Sequence, residues 1–389
     1  MLVLVLVSCG TLQPTPANPH DSAGRSGAGS STAGGSTKPS ATAFSVAGVE
    51  AFAAGTLKGD FALVLQRTSD GQVEKQEVWL VAIDGSRSTL IARYTPSSGG
   101  PINMLGSISR SLTRGLSPNG QQLLVSAQLA GSQSLVAITL ATGATASVGA
   151  DPTYIDIEAS WPPTGTTLAI SRARAADPSK RELWIGNIDG SGWHRLLGGP
   201  ISTLYGFTPD GTSICFAVVK ISCVSSATGV ETATYEGQAS SDIAAAWRDA
   251  PVSFTGALRD ATGGHLDIAE KSGSAQRPVL RALALDPRWR PSSDEILYRT
   301  DTQIFVTSIA GQSRRLPTEK VVRRAEWTAQ GTEVVFIAAE SAFTPNPPAA
   351  PPATTLRAIH ADGTGERELF KPAFDGHALG LFELALMRY

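Results

Sequence analysis

Seven times along this 389-residue chain, a short run with β-branched or aromatic residues at alternating positions ends in a small polar residue and a glycine. The runs span residues 77–85, 134–143, 182–190, 221–229, 266–273, 303–311 and 355–363. Alternation marks a strand that buries one face, and a glycine free to take φ > 0 is what a tight hairpin end needs. A second anchor recurs in phase with the first: an apolar residue, a turn bearing Pro or Gly, then a strand that starts seven residues on. It reads Leu116-Ser117-Pro118-Asn119-Gly120 before Leu123, Trp161-Pro162-Pro163-Thr164-Gly165 before Leu168, and Phe207-Thr208-Pro209-Asp210-Gly211 before Ile214. Looser copies stand at Trp247 before Phe254, Trp289 before Ile296 and Trp327 before Val334.

Successive anchors lie 45, 46, 40, 42 and 38 residues apart. A period in the forties built from several short strands is that of a propeller blade, not of a helical repeat or a leucine-rich horseshoe. Each unit is expected to hold a first strand leading into the Trp or Phe anchor and a second such as Leu168-Ala169-Ile170-Ser171. A third follows, such as Leu183-Trp184-Ile185-Gly186-Asn187-Ile188, and then a short fourth such as Trp193-His194-Arg195-Leu196. No sustained helical period intervenes. The expectation is an all-β chain folded as a seven-bladed β-propeller, with six or eight blades as the alternatives. One β run, Leu381-Phe382-Glu383-Leu384-Ala385-Leu386-Met387, remains after the seventh third-strand copy. A ring must hide its edges, so this run is expected to pair into the N-terminal blade beside Phe61-Ala62-Leu63-Val64-Leu65 and close the circle.

The segment Met1-Leu2-Val3-Leu4-Val5-Leu6-Val7-Ser8-Cys9-Gly10 is an apolar run that ends at a small residue and a cysteine. It resembles the end of a bacterial lipoprotein signal peptide, in which a pattern like Leu6-Val7-Ser8-Cys9 marks cleavage before a cysteine that then receives lipid. The basic n-region is missing and the apolar run is short, as a start codon placed too far downstream would produce. Residues 10–43 are rich in Ser, Gly, Ala, Thr and Pro, and a segment of that composition cannot bury enough surface to order itself. The domain plan is therefore a signal-like segment 1–9 ending at Cys9, a linker 10–43 and a propeller 44–389. The resemblance implies export, with the body held on the periplasmic or cell-surface side by lipid on Cys9. Each buried methylene of such a lipid contributes ~0.8 kcal/mol.

Only Cys215 and Cys223 remain beside Cys9. They fall on consecutive strands of one blade, where a hairpin register can set them opposite each other, and an exported protein permits a disulfide. Two buried free thiols are the alternative. Neither has the partner spacing of a zinc or catalytic site.

Taken together, the Trp/Phe-x-Pro-x-Gly turn, the apolar strand after it and the later Ile-Asp-Gly turn resemble the WD-like repeats of the TolB-type β-propeller family. The nearest copies are Phe207-Thr208-Pro209-Asp210-Gly211 and Glu182-Leu183-Trp184-Ile185-Gly186-Asn187-Ile188-Asp189-Gly190, and the resemblance runs in phase over residues 56–370. It implies the propeller fold. The family's founding member carries an α/β domain ahead of its propeller where this chain has only the linker, so that protein's partner-binding role does not carry over.

No catalytic constellation assembles from the sequence. His20, His194, His265, His360 and His377 are scattered, no serine sits in a Gly-x-Ser-x-Gly elbow on a strand-to-helix turn, and no α/β half is present to carry one. The Asp-Gly turns at Asp84, Asp189, Asp210 and Asp362 supply one carboxylate each, which suits a tight turn better than a calcium loop with several converging oxygens. No metal and no cofactor is expected. A net charge of −2 gives no dense basic patch for nucleic acid. One repeated feature points to a ligand: a basic residue follows the second strand in five units, at Arg67, Arg172, Lys220, Arg259 and Arg299. Lining one mouth, these would attract an anionic ligand or acidic surface. The competing expectation pairs Arg67 with Glu77, Arg172 with Glu182 and Arg259 with Asp267 across hairpins. Trp161, Trp247, Trp289 and Trp327 recur once per unit and are expected to pack between blades, whereas Trp193, in a polar turn, is the surface candidate. The Pro-rich stretch 343–354 is expected to be a solvated loop within the last unit.

The sequence thus predicts a non-catalytic envelope lipoprotein whose propeller binds or scaffolds a protein or another envelope component. The alternatives are a lyase or hydrolase acting on envelope polysaccharide or peptide at the channel, and an assembly factor that docks a membrane complex through its rim.

Overall fold

The computed structural model describes residues 49–69, 74–94, 116–129, 132–149, 151–164, 166–208, 210–218, 220–235, 252–258, 265–270, 277–340, 353–372 and 378–388. The chain divides into two units, Met1–Thr42 and Ala43–Tyr389, and the described residues all belong to the second. Cys9, Trp247, Arg259, the linker and most of the Pro-rich stretch lie outside them.

Every regular element among the described residues is a strand, and all pairing is antiparallel. The first sheet holds β1 (Val49–Ala51), β2 (Asp60–Ser69), β3 (Glu74–Ala82) and β4 (Ser88–Tyr94). The second holds β5 (Gln122–Leu129), β6 (Ser132–Thr139) and β7 (Ala144–Val148). The third is β8 (Tyr154–Ser160), β9 (Thr167–Arg174), β10 (Asp177–Asn187) and β11 (His194–Leu197). The fourth is β12 (Thr203–Phe207), β13 (Ser213–Ala217), β14 (Ile221–Ser225) and β15 (Glu231–Tyr235). The fifth is β16 (Val252–Leu258), β17 (His265–Glu270) and β18 (Arg277–Leu280). The sixth is β19 (Leu285–Trp289), β20 (Glu295–Arg299), β21 (Ile304–Ser308) and β22 (Ser313–Leu316). The seventh is β23 (Val321–Trp327), β24 (Glu333–Ala339), β25 (Thr354–His360) and β26 (Arg367–Phe370). The last strand, β27 (Ala378–Arg388), pairs with β2 and so completes the first sheet from the far end of the chain.

Six of the hairpin ends read from the sequence are where the turns fall, and the one ending at Gly273 lies outside the described residues. Gly85, Gly143, Gly190, Gly229, Gly311 and Gly363 all have φ between 69° and 90°, a region closed to most side chains. Asp84, Asp189 and Asp362 stand just before three of these glycines, and Asp210 precedes Gly211; each carboxylate accepts from the backbone N–H two residues on. Hydrogen bonds from the side chain, and then from the backbone N–H, of Ser86, Ser191 and Thr364 draw the Asp84, Asp189 and Asp362 carboxyls below the usual range. The carboxylates serve the turns.

Among the described residues, six seams between neighbouring sheets are filled by apolar side chains. Phe61, Leu63 and Val78 of the first meet Leu123, Val136 and Ile138 of the second, and Leu124 and Leu135 of the second meet Trp161 and Leu168 on the third. Leu183 and Ile185 of the third pack on Phe207 and Phe216 of the fourth. Leu266 and Ile268 of the fifth meet Trp289, and Leu297 of the sixth meets Trp327. Val335 and Ile337 of the seventh pack on Ala62 and Val64 of the first, which brings the series back to its start. Trp161, Phe207, Trp289 and Trp327 therefore fill wedges between neighbouring sheets, as their spacing predicts, and the arrangement is that of a β-propeller.

Candidate functional site

In a propeller the first strand of each sheet surrounds the central channel. Five strands that open their sheets among the described residues, β8, β12, β16, β19 and β23, share a defect that the repeat pattern does not announce. Each breaks register with the strand after it, between Asp156 and Glu158, Leu204 and Gly206, Val252 and Phe254, Leu285 and Arg288, and Val322 and Arg324. A bulge leaves residues outside the ladder and re-aims their side chains, and it breaks strict inward–outward alternation.

On β19 and β23 the re-aimed residues are charged. Asp286 lies in the β19 bulge with φ of 48°, an uncommon conformation for any residue but glycine. Its Oδ2 accepts from Arg299 Nε at 2.7 Å and from Arg324 Nη1 at 3.1 Å. Burial alone would raise this carboxyl; the charges of Arg324, Arg299 and Arg288 overcome it and hold the pKa at about 2. Arg288 in turn donates from Nε to Glu326 Oε2 at 2.7 Å. The two first strands are thus stitched by pairs of opposite polarity, acid to base at one level and base to acid at the next. Arg323, in the β23 bulge, is pushed below its ordinary pKa by burial and by the like charges of Arg299 and Arg324.

The third sheet answers the same layout differently. Arg172 on β9 stands opposite Asp156 on β8 and opposite Glu182 on β10. It takes Asp156, with Nε–Oδ1 at 2.6 Å and Nη2–Oδ2 at 3.2 Å, and spends a further donor on Gly149 O at 2.8 Å. Its guanidinium lies 5.4, 5.5 and 5.3 Å from the ring centroids of Tyr154, Trp184 and Trp193. Burial pushes the Asp156 carboxyl above its usual range against the pull of Arg172.

Three expectations are corrected here. Arg172 is not a rim residue, because the aromatic box encloses it, and its partner is not Glu182, which accepts instead from Arg195 and from Trp184 Nε1. Trp193 is no free surface ring, since a Cβ on Gly186 would stand 2.2 Å from it. Of the other rim candidates, Arg299 joins the cluster just described, Lys220 is exposed in the turn between β13 and β14, and Arg67 sits near the end of β2 opposite Gln76. Glu77, expected as the partner of Arg67, accepts from Arg93 Nε at 2.8 Å. Sequence reasoning missed Asp286, Arg288, Arg323, Arg324 and Glu326. The signal available was charge inside the first-strand runs ahead of Trp289 and Trp327, where a channel-lining strand need not be apolar.

Cys215 and Cys223 are directly opposed on β13 and β14, with Cα atoms 4.0 Å apart and the sulfurs at bonding distance. A separate cleft of about 540 Å³ lies where the seventh sheet meets the first, lined by Lys58, Asp60, Asp84, Arg87, Glu333 and Arg367. Glu333 there accepts from both terminal nitrogens of Arg367 within the seventh sheet, and Arg367 Nη2 also donates to Ile83 O at 3.3 Å in the first sheet's turn, so this pair is spent on holding the two sheets together.

No family model and no curated protein matches the chain. Solved structures do. An oligogalacturonate lyase from Vibrio parahaemolyticus matches with 11% identity over 82% of this chain and 90% of its own, at a TM-score of 0.51. TolB from Acinetobacter baumannii matches with 12% identity over 84% of this chain and 67% of its own, at 0.47. A dipeptidyl peptidase 4 from Porphyromonas gingivalis matches with 10% identity over 79% of this chain and half of its own, at 0.49. At such identities the likeness concerns the fold alone.

Proposed function

We propose that this protein is an exported lipoprotein whose propeller is a non-catalytic module for binding or scaffolding a protein or another envelope component. In this reading each sheet is one of seven blades, residues 10–43 are the tether, and lipid on Cys9 supplies the anchor. Cys215 and Cys223 form a disulfide, as the export route allows. The observation that carries the binding role is the set of bulges on the first strands, which gather Asp286, Arg288, Arg299, Arg323, Arg324 and Glu326 on two neighbouring sheets of a rigid array. A rigid scaffold presents such groups with little entropy lost on binding.

Crosslinking in the native cell, followed by identification of what is captured, tests the reading. Specific capture that is lost when Arg299 and Arg324 are replaced together by Gln supports it, and capture indifferent to that change refutes the site. Cys9→Ala serves as the unanchored control, and lipid label that persists in it overturns the anchor. Alkylation of Cys215 and Cys223 in unfolded protein only after reduction is expected if the bridge forms.

A further inference from the structure

The cleft where the seventh sheet meets the first takes part of its wall from residues 52–59, the strap that leads from β1 into β2. Backbone bonds fix that strap: Phe52 N–H donates to Ile91 O and Ala54 N–H to Leu140 O, both at 2.8 Å, and Leu57 packs on the core shared by the first and second sheets. Lys58 at its end and Arg87 in the turn between β3 and β4 are exposed, and neither is in an ion pair among the described residues. Arg87 lies 5.1 Å from the centroid of the Phe61 ring and donates to Thr56 O at 3.4 Å, which holds its planar fork at the cleft. Asp84, in the same turn, accepts from the Ser86 N–H through Oδ1 at 2.9 Å, and the Ser86 bonds keep its carboxyl ionised at neutral pH. Three bases and three acids line the cleft among the described residues, and of these Arg367 and Glu333 are matched to each other.

We infer that this cleft binds a small zwitterion, one oxyanion joined to one ammonium group by a short skeleton, with Lys58 and Arg87 taking the oxyanion and Asp84 the ammonium group. A ligand of negative charge alone would gain at Lys58 and Arg87 but be opposed by Asp60, Asp84 and Glu333, whereas a ligand with one group of each sign gains from both sets. The cleft volume of about 540 Å³ falls within the roughly 300–1,000 Å³ of small-molecule sites. Because the strap is already fixed, little ordering is lost when Lys58 is engaged. A dipeptide and a phosphoethanolamine headgroup both offer this chemistry. The cleft is separate from the Asp286 cluster between the sixth and seventh sheets, so the two sites stand or fall independently.

The test is isothermal titration calorimetry of the full chain with dialanine, against N-acetyl-dialanine and dialanine amide, and with phosphoethanolamine, against inorganic phosphate. At least one zwitterion is expected to bind about tenfold more tightly than its single-charge counterparts, and the one that does names the source. Lys58→Gln and Arg87→Gln are each expected to weaken that zwitterion about tenfold. Asp84→Asn keeps an oxygen for the Ser86 N–H, and so keeps the turn, yet is expected to bring the zwitterion down to the affinity of its anion-only counterpart without weakening the latter. All three side chains are exposed, and the variants are expected to melt with the parent. Should Asp84→Asn fail to fold, the two cationic variants still decide the site. Zwitterions bound no more tightly than the single-charge forms, or affinity unchanged in the variants, would overturn the inference, while cellular capture through Arg299 and Arg324 would be untouched by that result.

Discussion

Arg172 and Arg299 hold corresponding places in the third and sixth sheets: each reaches from the second strand to an aspartate beside the first-strand bulge. Their surroundings separate them. The Arg172 and Asp156 side chains are 3% and 2% exposed, and three aromatic rings close over the guanidinium, whereas Arg299 and Asp286 are 16% and 27% exposed and share their space with further arginines. A buried pair of matched charge is finished: it fixes the geometry of its sheet and has nothing left to offer. The second group is more open: Asp286, in a left-handed backbone, takes guanidinia from two sheets, and Arg299 and Arg324 keep partial contact with solvent.

The largest effect expected from breaking this contrast is in the closed pair. Arg172→Ala leaves Asp156 buried without its partner and empties the aromatic box, and unfolding in urea should show a loss of about 3–5 kcal/mol. Replacing both members by apolar residues, Arg172→Met with Asp156→Leu, should cost clearly less, because no orphaned charge remains. If the single and double variants lose equal stability, packing rather than charge pairing holds the box.

The open group gives a smaller, pH-dependent effect. A fall in the Asp286 pKa from 3.8 unfolded to about 2 folded corresponds to about 2 kcal/mol of stability at neutral pH. Because the folded value lies below the unfolded one, the unfolded state binds more protons between them. The contribution is therefore full above pH ~4 and fades as pH falls toward 2. Asp286→Asn should lose about 2 kcal/mol at pH 7 and show a shallower acid limb than the parent when unfolding is followed from pH 7 downward.

Gly186→Ala sharpens the comparison from the packing side. Its Cβ would strike the Trp193 ring at 2.2 Å, and the ring must then lift from Arg172. The thermal midpoint should fall by an amount equivalent to about 1–2 kcal/mol. Smallest of all is Glu182→Ala, which removes a pair with Arg195, itself 53% exposed. A loss below about 1 kcal/mol is expected, and a loss as large as that of Asp156→Ala would return Arg172 to the partner the hairpin suggested.

Much of the fold was legible because it is written in repeated local chemistry. Glycines such as Gly190 and Gly363 take the positive φ their turns require, Trp161, Trp289 and Trp327 fill the wedges between sheets, and β27 pairs with β2 as a ring without free edges demands. These features depend on neighbours a few residues away or on a period. The site was not legible in the same way. Which of Asp156 and Glu182 receives Arg172 depends on what Arg195 and Trp184 do to the second of them. That Arg324 meets Asp286 depends on two bulges, in strands 38 residues apart, turning their side chains toward each other. Alternation and spacing belong to the chain itself, so the sequence alone determined strands, turns and their circular order. Burial and the choice among charged partners arise only when strands and sheets are brought together, so tertiary structure alone decided that one arginine would be sealed in the interior and another left partly open to solvent.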